Sequence, residues 1–403
     1  MYDVIVVGAR CAGAPLAMRL ARQGHRVLML DRSRFPSDIP HGHLIHQEGP
    51  SRLKRWGLLE QIVASGCPAI ESAYTHVADI PLESADLSRD GVGFAYAPRR
   101  KVLDQILIDA AVSAGVEFRE ACAVENLLLD GDLINGVRAR DANGHMFMER
   151  ATVTVGADGR NSRIARLVQA PKYEETPTLT CYAFTYFSDV DYKGLRLYAQ
   201  PNRAIFSFPT NDGLFAVFTT APIAEAPQMS ANLEAHFMAT VDLWPSYAER
   251  LRAGRREERF YGAADLPNFF RKPYGPGWAL VGDAGCHKDP YLALGVHDAL
   301  RDADYLADAL DAALSGREPF DMAMPRYEQR RNESSMPAYH DNVKAAHLTS
   351  PPPEVVAVRA ALRNDPEERR RFYMAHFGLL PRESFFNAEN LQRIVRAAAG
   401  ITP

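Results

Sequence analysis

The chain has 403 residues, 47% apolar and 24% charged, an ordinary globular composition that excludes a disordered, collagen-like or disulfide-stapled protein. A formal net charge of −4 offers no basic face to nucleic acid, so the expected partner is a small molecule. The five cysteines are scattered without a C-x-x-C pair and read as reduced thiols of a cytoplasmic protein. No apolar run reaches the ~18 residues of a membrane span, and the strand-like segment at residues 3–7 leaves no room for a secretion signal.

Strand and helix patterns then alternate along the chain. YDVIVVG is a buried-strand pattern, residues 15–22 form an apolar-periodic helix stopped by Gly24, and HRVLMLD is a second strand. Residues 34–46 carry prolines, three histidines and a glycine and read as a loop. Helical patterns follow at residues 48–59 and 100–114. Residues 123–155 alternate in three short runs separated by DGD and DANG turns, a β-meander that ends in the strand and Gly-rich turn of residues 153–160. Residues 180–220 hold aromatic-rich strands, the last two joined as a hairpin by Asn211-Asp-Gly213. One long helix is expected over residues 231–252, a strand and Gly turn at 277–285, and helix over 297–345. The Pro351–Pro353 run precedes a charged tail of helical pattern. The fold class is therefore α/β, a Rossmann-like cofactor domain interrupted by an antiparallel sheet. The expected division is 1–172 and 276–345 for the cofactor domain, 173–275 for a substrate-covering sheet, and 346–403 for a helical segment that either packs on the cofactor domain or dimerises.

Four stretches can carry chemistry. Gly8-Ala-Arg-Cys-Ala-Gly13, between strand and helix, would offer free N–H groups and the positive end of a helix dipole to a pyrophosphate. Asp31, at the end of the next strand, can accept a ribose hydroxyl. Arg10 occupies the place of the usual middle glycine. Arg99 and Arg100 open a helix and could bind phosphate or sugar oxygens. Gly156-Ala-Asp158-Gly159-Arg160-Asn-Ser162 is a turn that could meet a cofactor hydroxyl or pyrophosphate. In the fourth, Asp283 can hold a ribityl hydroxyl, and a second helix start near Gly295 can aim N–H groups at a ring that becomes anionic on reduction. Taken singly, each is also explained without a ligand: a tight turn, a solvated charge run, a helix start capped by Asp and Ser, a loop shaped by Gly and Pro.

Their order and spacing over residues 1–345 resemble the FAD-dependent enzymes of the p-hydroxybenzoate hydroxylase type, the group A flavoprotein monooxygenases, close to the geranylgeranyl reductase-like branch. The resemblance implies FAD as cofactor and NADPH or NADH as a transient reductant. It assigns Gly8, Ala12, Gly13, Asp31 and Arg32 to the ADP half, and Arg99 and Arg100 to the phosphate or ribose region. Asp158 and Gly159 would face pyrophosphate and nicotinamide cofactor, Asp283 the ribityl chain, and Pro290, Gly295 and Val296 the isoalloxazine. Leu292 stands where the resemblance has a glycine.

The activity it implies is hydroxylation of a small aromatic or polycyclic metabolite with NAD(P)H and O2 through a flavin C4a-hydroperoxide, which needs a dry chamber. Aromatic side chains from Tyr182 to Phe218 can wall one, with Tyr182, Phe184 and Tyr186 on one face and Phe187 on the other. The alternative is reduction of an alkene or isoprenoid, for which Phe206-Ser-Phe208-Pro209 partly matches the reductases' aromatic-x-aromatic-Pro string. Halogenation is disfavoured because Trp56, Trp244 and Trp278 stand in no W-x-W-x-I-P string. A prenyl-protein escort on the same frame is disfavoured because the flavin motifs remain recognisable. His43 and His46 could deprotonate a phenol or bond the flavin, and His297 could contact its pyrimidine edge. No metal is expected, since H-x-H-x-x-H on a loop lacks a fourth ligand.

Overall fold

A computed structural model describes residues 1–39 and 41–400; Pro40, in the loop expected over 34–46, and the last three tail residues lie outside the described residues. The first strand, Tyr2–Val7, is apolar on both sides because both of its faces are covered. Val4 and Val6 join the core beneath helices Gly13–Arg22, Arg100–Ser113 and Gly295–Leu314, while Ile5 and Val7 face a second core beneath the meander. Five strands run parallel in the order Glu117–Arg119, Val27–Leu30, Tyr2–Val7, Met146–Gly156, Trp278–Leu280. This is a Rossmann-like sheet, and its strand ends place the Gly turns at residues 8, 156 and 282 along one rim. Met146–Gly156 is long enough to serve twice: its outer half pairs antiparallel with Leu133–Arg140, its inner half parallel with Tyr2–Val7. The meander and its turns stand where the alternation places them.

The second sheet is antiparallel around Thr180–Ser188, Phe215–Pro222, Arg203–Pro209 and Leu195–Gln200. It also contains Ala73–Val77 and Ile80–Ser84, joined by a parallel pairing of Ala73–Val77 with Leu195–Gln200. These two strands lie in sequence among residues expected to serve the cofactor domain. Their short half-exposed runs give little alternation to read. The expected helix over 231–252 is three helices, Ala226–Ala231, Leu233–Val241 and Pro245–Ala253. The breaks follow from Asn232, which leaves helical geometry to cap the second helix through its side chain, and from Pro245, which opens the third. The helix expected over 48–59 ends at Trp56 because Gly57 turns left-handed, with φ 76°.

The two faces of this sheet differ. Ala183, Phe187, Tyr198 and Val217 pack under Phe237, Trp244 and Tyr247 of the last two of these helices. Phe184, Tyr186, Phe208 and Phe218 look the other way, toward Leu44 and Phe94. Onto that face the tail folds back as helices Pro353–Leu362, Pro366–His376 and Ala388–Ala398, burying Leu362, Tyr373, Phe377 and Phe385. Phe377 stacks on Phe94 with ring centroids 4.2 Å apart, and Arg359 donates to the Thr75 carbonyl and hydroxyl. Among the described residues no helix is long and apolar enough to cross a membrane.

Phe385 is 1% exposed, so truncation to alanine removes a whole ring from this tail core. Phe385→Ala is expected to cost about 3–5 kcal/mol, read as a lower midpoint in chemical unfolding of the full chain. An unchanged midpoint would mean that the tail is not anchored there.

Candidate active site

The helix Gly13–Arg22 approaches the first strand so closely that a Cβ on Gly13 would lie 1.7 Å from the Gly8 carbonyl oxygen, and one on Gly8 2.4 Å from that of Ala157. Only glycine permits this contact, which brings the helix start directly over the rim of the sheet. The helix has no side-chain cap and no acid in its first turn; Ala14 N–H donates to the Arg10 carbonyl, Leu16 N–H to the Ala12 carbonyl and Pro15 has no N–H, so the Gly13 N–H at the very start is the one left for an anion. A second uncapped start, at Gly295, adjoins it: a Cβ on Gly282 would sit 2.7 Å from Ala12 Cβ and 3.8 Å from Ala299 Cβ in the second helix. A Cβ on Gly295 would meet nothing within 4 Å, so the chain leaves space there. Val296, beside it, is buried, and Pro290 opens the short turn before it. In that turn the left-handed residue is Ala293, at φ 53°, so glycine's conformational role falls one position after Leu292.

Polar groups gather around these starts. Asp31 is buried and accepts from Ala9 N at 2.8 Å and Ser33 N at 2.7 Å, leaving further lone pairs for a hydroxyl. Arg10 and Arg100 both bind Asp104, which has no exposed surface. The Arg10 side chain thus lies along the helix start instead of filling it, which explains how an arginine can stand at the middle position. Arg100 is held firmly protonated: burial opposes its charge, but Cys11, Asp104 and Asp283 outweigh that. His41 is pushed down to about 4, first by desolvation, then by Arg100, with Arg160 and Arg10 adding to it and Asp283 opposing. Arg10, Arg100, Arg160 and Asp283 thus all lie within electrostatic reach of His41, and His41 and Arg160 are residues that the sequence reading did not single out.

Other expected residues are placed differently. Arg99 turns away from the slot: it pairs with Asp38 and Glu258 and lies 4.1 Å above the Tyr186 ring, because those carboxylates neutralise it at the second sheet. Asp158 is spent locally, accepting from Ser162 Oγ, Arg163 N and Ile164 N to start the helix Arg163–Leu167. Gly159, at φ 79°, has open space beside it, and Arg32 is exposed.

The three histidines are buried; His46 and His297 lie near one another, and His43 lies with the second sheet. His43 Nδ1–H donates to the Ala97 carbonyl at 3.0 Å, so Nε2 accepts from the Tyr186 hydroxyl, also at 3.0 Å. Burial lowers its pKa to about 3, more than the Ala97 bond restores. Phe208 meets the His43 ring edge-on at 5.4 Å. His46 Nε2–H donates to the Leu292 carbonyl at 2.9 Å, leaving the Nδ1 lone pair buried and unpartnered among the described residues. His297 also buries an unpartnered Nδ1, and desolvation takes its pKa to about 3. His287 bonds the Pro267 carbonyl and is structural. Among the described residues no group of three or more His, Cys, Asp or Glu side chains is placed to hold a metal ion.

The donor set fits FAD. Two uncapped helix starts suit the pyrophosphate and the pyrimidine edge, Asp31 a ribose hydroxyl, Asp283 the ribityl chain, and the orphaned Nδ1 atoms of His46 and His297 polar edges of the ring. Residues 1–340 match the family described as "FAD binding domain". The chain belongs to that family. It is similar to the digeranylgeranylglycerophospholipid reductase of Methanosarcina acetivorans, 25% identical over 347 residues that cover 83% of this chain and 81% of the reductase. In fold it is similar to the myxobacterial chondrochloren halogenase CndH, with TM-score 0.79, 22% identity, and coverage of 100% and 97% of the two chains. It is also similar to PqsL from Pseudomonas aeruginosa, described as "a probable FAD-dependent monooxygenase", with TM-score 0.70, 23% identity, and coverage of 92% and 98%. This chain is thus an FAD-dependent flavoenzyme of a family whose relatives include monooxygenases, halogenases and reductases.

Asp283→Ala is expected to weaken FAD retention on the order of tenfold, measured as bound flavin after dialysis; full retention would remove Asp283 from the site. The buried histidines make the protein acid-labile. His43 and His297 are neutral when folded, with values near 3, whereas the unfolded chain protonates them near 6.5. Unfolded chains therefore take up more protons between those values, and stability is lost as pH falls from about 6.5 toward 3, by about 1.4 kcal/mol per pH unit for each. Denaturation midpoints that stay level between pH 6.5 and 4.5 would contradict this.

Proposed function

We propose that the protein is an NAD(P)H-using FAD monooxygenase that hydroxylates a small aromatic or polycyclic metabolite. The observation that carries the reading is a buried aromatic cluster, a box of packed side chains beside the cofactor turn: Phe184, Tyr186, Phe208 and Phe218 on one face of the second sheet, packed with Leu44, Ala293 and Phe377. Phe206 meets Tyr291 edge-on at 5.1 Å, tying the box to the turn before Gly295. Bound FAD supplies the redox chemistry, carrying reducing equivalents from the nicotinamide to the oxygen-dependent step. The chain's own side chains exclude water from that step, which favours oxygen transfer over loss as peroxide. Within the box, His43 and Tyr186 form the polar corner. Burial raises the Tyr186 pKa, so its phenol stays protonated and donates to His43 while its oxygen remains able to accept from a substrate hydroxyl. Arg99 fixes the Tyr186 ring from behind.

A nicotinamide cofactor needs a place for its phosphates. A cavity of about 190 Å³ lined by Arg160, Asn161, Ser162, Arg166 and Arg271 supports one, just past the Asp158-Gly159 turn. Arg271 is 7% exposed, forms no ion pair among the described residues, and is held below the usual arginine range by burial. Such a cation is suited to an incoming phosphate. In this reading residues 1–172 and 276–345 hold the cofactors, 173–275 with the strands of 73–84 cover the substrate, and the tail completes the box.

One observation favours a second reaction. Phe206-Ser-Phe208-Pro209 forms the strand that faces the cofactor turn, and the reductase likeness extends over most of the chain. Saturation of an alkene or isoprenoid double bond also needs an apolar chamber.

The test is NAD(P)H consumption by the yellow protein with aromatic and prenyl compounds, with and without oxygen. Substrate-stimulated, oxygen-requiring turnover with a hydroxylated product supports the monooxygenase; anaerobic saturation of a double bond establishes the reductase instead. Arg271→Gln is expected to raise KM for NAD(P)H about tenfold with kcat little changed, and an unaltered KM would move the reductant elsewhere. Phe208→Ala is expected to release more hydrogen peroxide per NAD(P)H consumed; unaltered coupling would mean that the box does not shield the reaction.

A further inference from the structure

A cluster of four arginines lies outside the cofactor slot. Helices Gly13–Arg22, Gly49–Trp56, Gly295–Leu314 and Phe320–Ala346 meet around a cavity of about 320 Å³ lined by Arg19, Arg52, Arg55, Arg330, Asp304 and Asp308, with Trp56 and Tyr305 as apolar walls. That volume is at the small end of those that hold organic ligands. Four guanidinium groups face two carboxylates, so the lining carries a net excess of positive charge.

The ion pairs do not use up these donors. Arg52 is 5% exposed and bonds Asp304 through Nε at 2.7 Å, yet its Nη1 has no partner among the described residues. Its other carboxylate neighbour, Glu48, stands 3.9 Å away with its side chain largely in solvent. Arg19 Nη2 reaches Asp308 at 3.2 Å, while its Nε is 3.2 Å from Asp304 Oδ1 without the alignment of a hydrogen bond. Arg330 is 3.4 Å from Asp308 and lies over the Tyr305 ring at 4.2 Å, which fixes its guanidinium at the rim. Arg55 is exposed and has no ion-pair partner among the described residues. A buried guanidinium with an unmade hydrogen bond is costly in isolation and gains from an anion that supplies the acceptor. A purely structural network would match its carboxylates to its cations.

From this geometry we infer that the cavity binds a small phosphate-bearing anion, inorganic pyrophosphate or the diphosphate of a nucleotide, held by Arg52 and Arg19 at its base and by Arg55 and Arg330 at its rim. Several oxygens and more than one negative charge match the planar donors, which bind phosphate in a bidentate manner. The site is separate from the Arg160–Arg166–Arg271 cavity and does not depend on which reaction the flavin performs.

The experiment is calorimetric titration of the FAD-loaded full chain with inorganic pyrophosphate in chloride buffer, with ADP and citrate as further arms. The expected result is a site that Arg55→Gln and Arg330→Gln each weaken at least tenfold, distinct from any binding at the Arg160–Arg166–Arg271 cavity. Both residues lie at the rim, so these variants are expected to fold; the buried Arg52→Gln is a second probe, read only if its unfolding midpoint matches the parent. Arg271→Gln should leave this binding unchanged. Tighter binding of ADP than of pyrophosphate identifies a nucleotide as the source, and equal or weaker binding identifies the free anion. Absence of binding, binding unaffected by the rim variants, binding abolished by Arg271→Gln, or citrate binding as tightly as pyrophosphate would each overturn the assignment.

Discussion

The site depends on one close approach. Helix Gly13–Arg22 can bring its N–H groups to the rim of the parallel sheet only because Gly13 rests on the Gly8 carbonyl with no side chain between them. Every other cofactor-facing group is placed relative to that contact. Ala12 touches the turn at Gly282, that turn abuts the helix starting at Gly295, and Asp104 holds Arg10 and Arg100 beside the same helix start. Neither helix start has a side-chain cap, and the acid in the first turn of the second, Asp298, is paired with Lys288 and Arg301, so both starts remain complementary to anions.

Electrostatics also divides the slot from the box. The slot region holds Arg10 and Arg100, paired with Asp104, together with Asp31 and Asp283. On the other side burial drives His43 to its neutral form, and Arg99 is cancelled by Asp38 and Glu258. The aromatic cluster thus carries hydrogen bonds and little net charge, which suits the uncharged or weakly polar substrate proposed for it.

Much of this was legible in the sequence where local rules govern it. The strand-to-glycine turns at residues 8, 156 and 282 and the helix start at Gly295 follow from local sequence pattern and occur at those positions. The aromatic alternation of residues 182–187 also sorted the two faces, although only the packing of residues 226–253 and of the tail reveals which face looks toward the cofactor. What was hidden depends on distant partners. Arg99 and Arg100 are adjacent in sequence, and only long-range carboxylates send one to the sheet and the other to the slot. Ala73–Val77 joins the second sheet through a parallel pairing with residues more than a hundred positions on, which no local pattern announces. His41, Arg160 and Arg271 gain significance solely from convergence; the one signal available was the density of His and Arg around prolines and glycines.

The tail's position has an implication for biogenesis. A chain emerges from the ribosome N-terminus first and its domains tend to fold in that order. All residues assigned to the slot precede position 300, whereas Phe377, which closes the box against Phe94 and lies edge-on to His46 at 6.3 Å, is among the last to appear. A nascent chain can thus complete the cofactor slot before the tail that packs over the aromatic cluster has emerged; if that cluster shields the reaction as proposed, the shielding is the last part of the molecule to form.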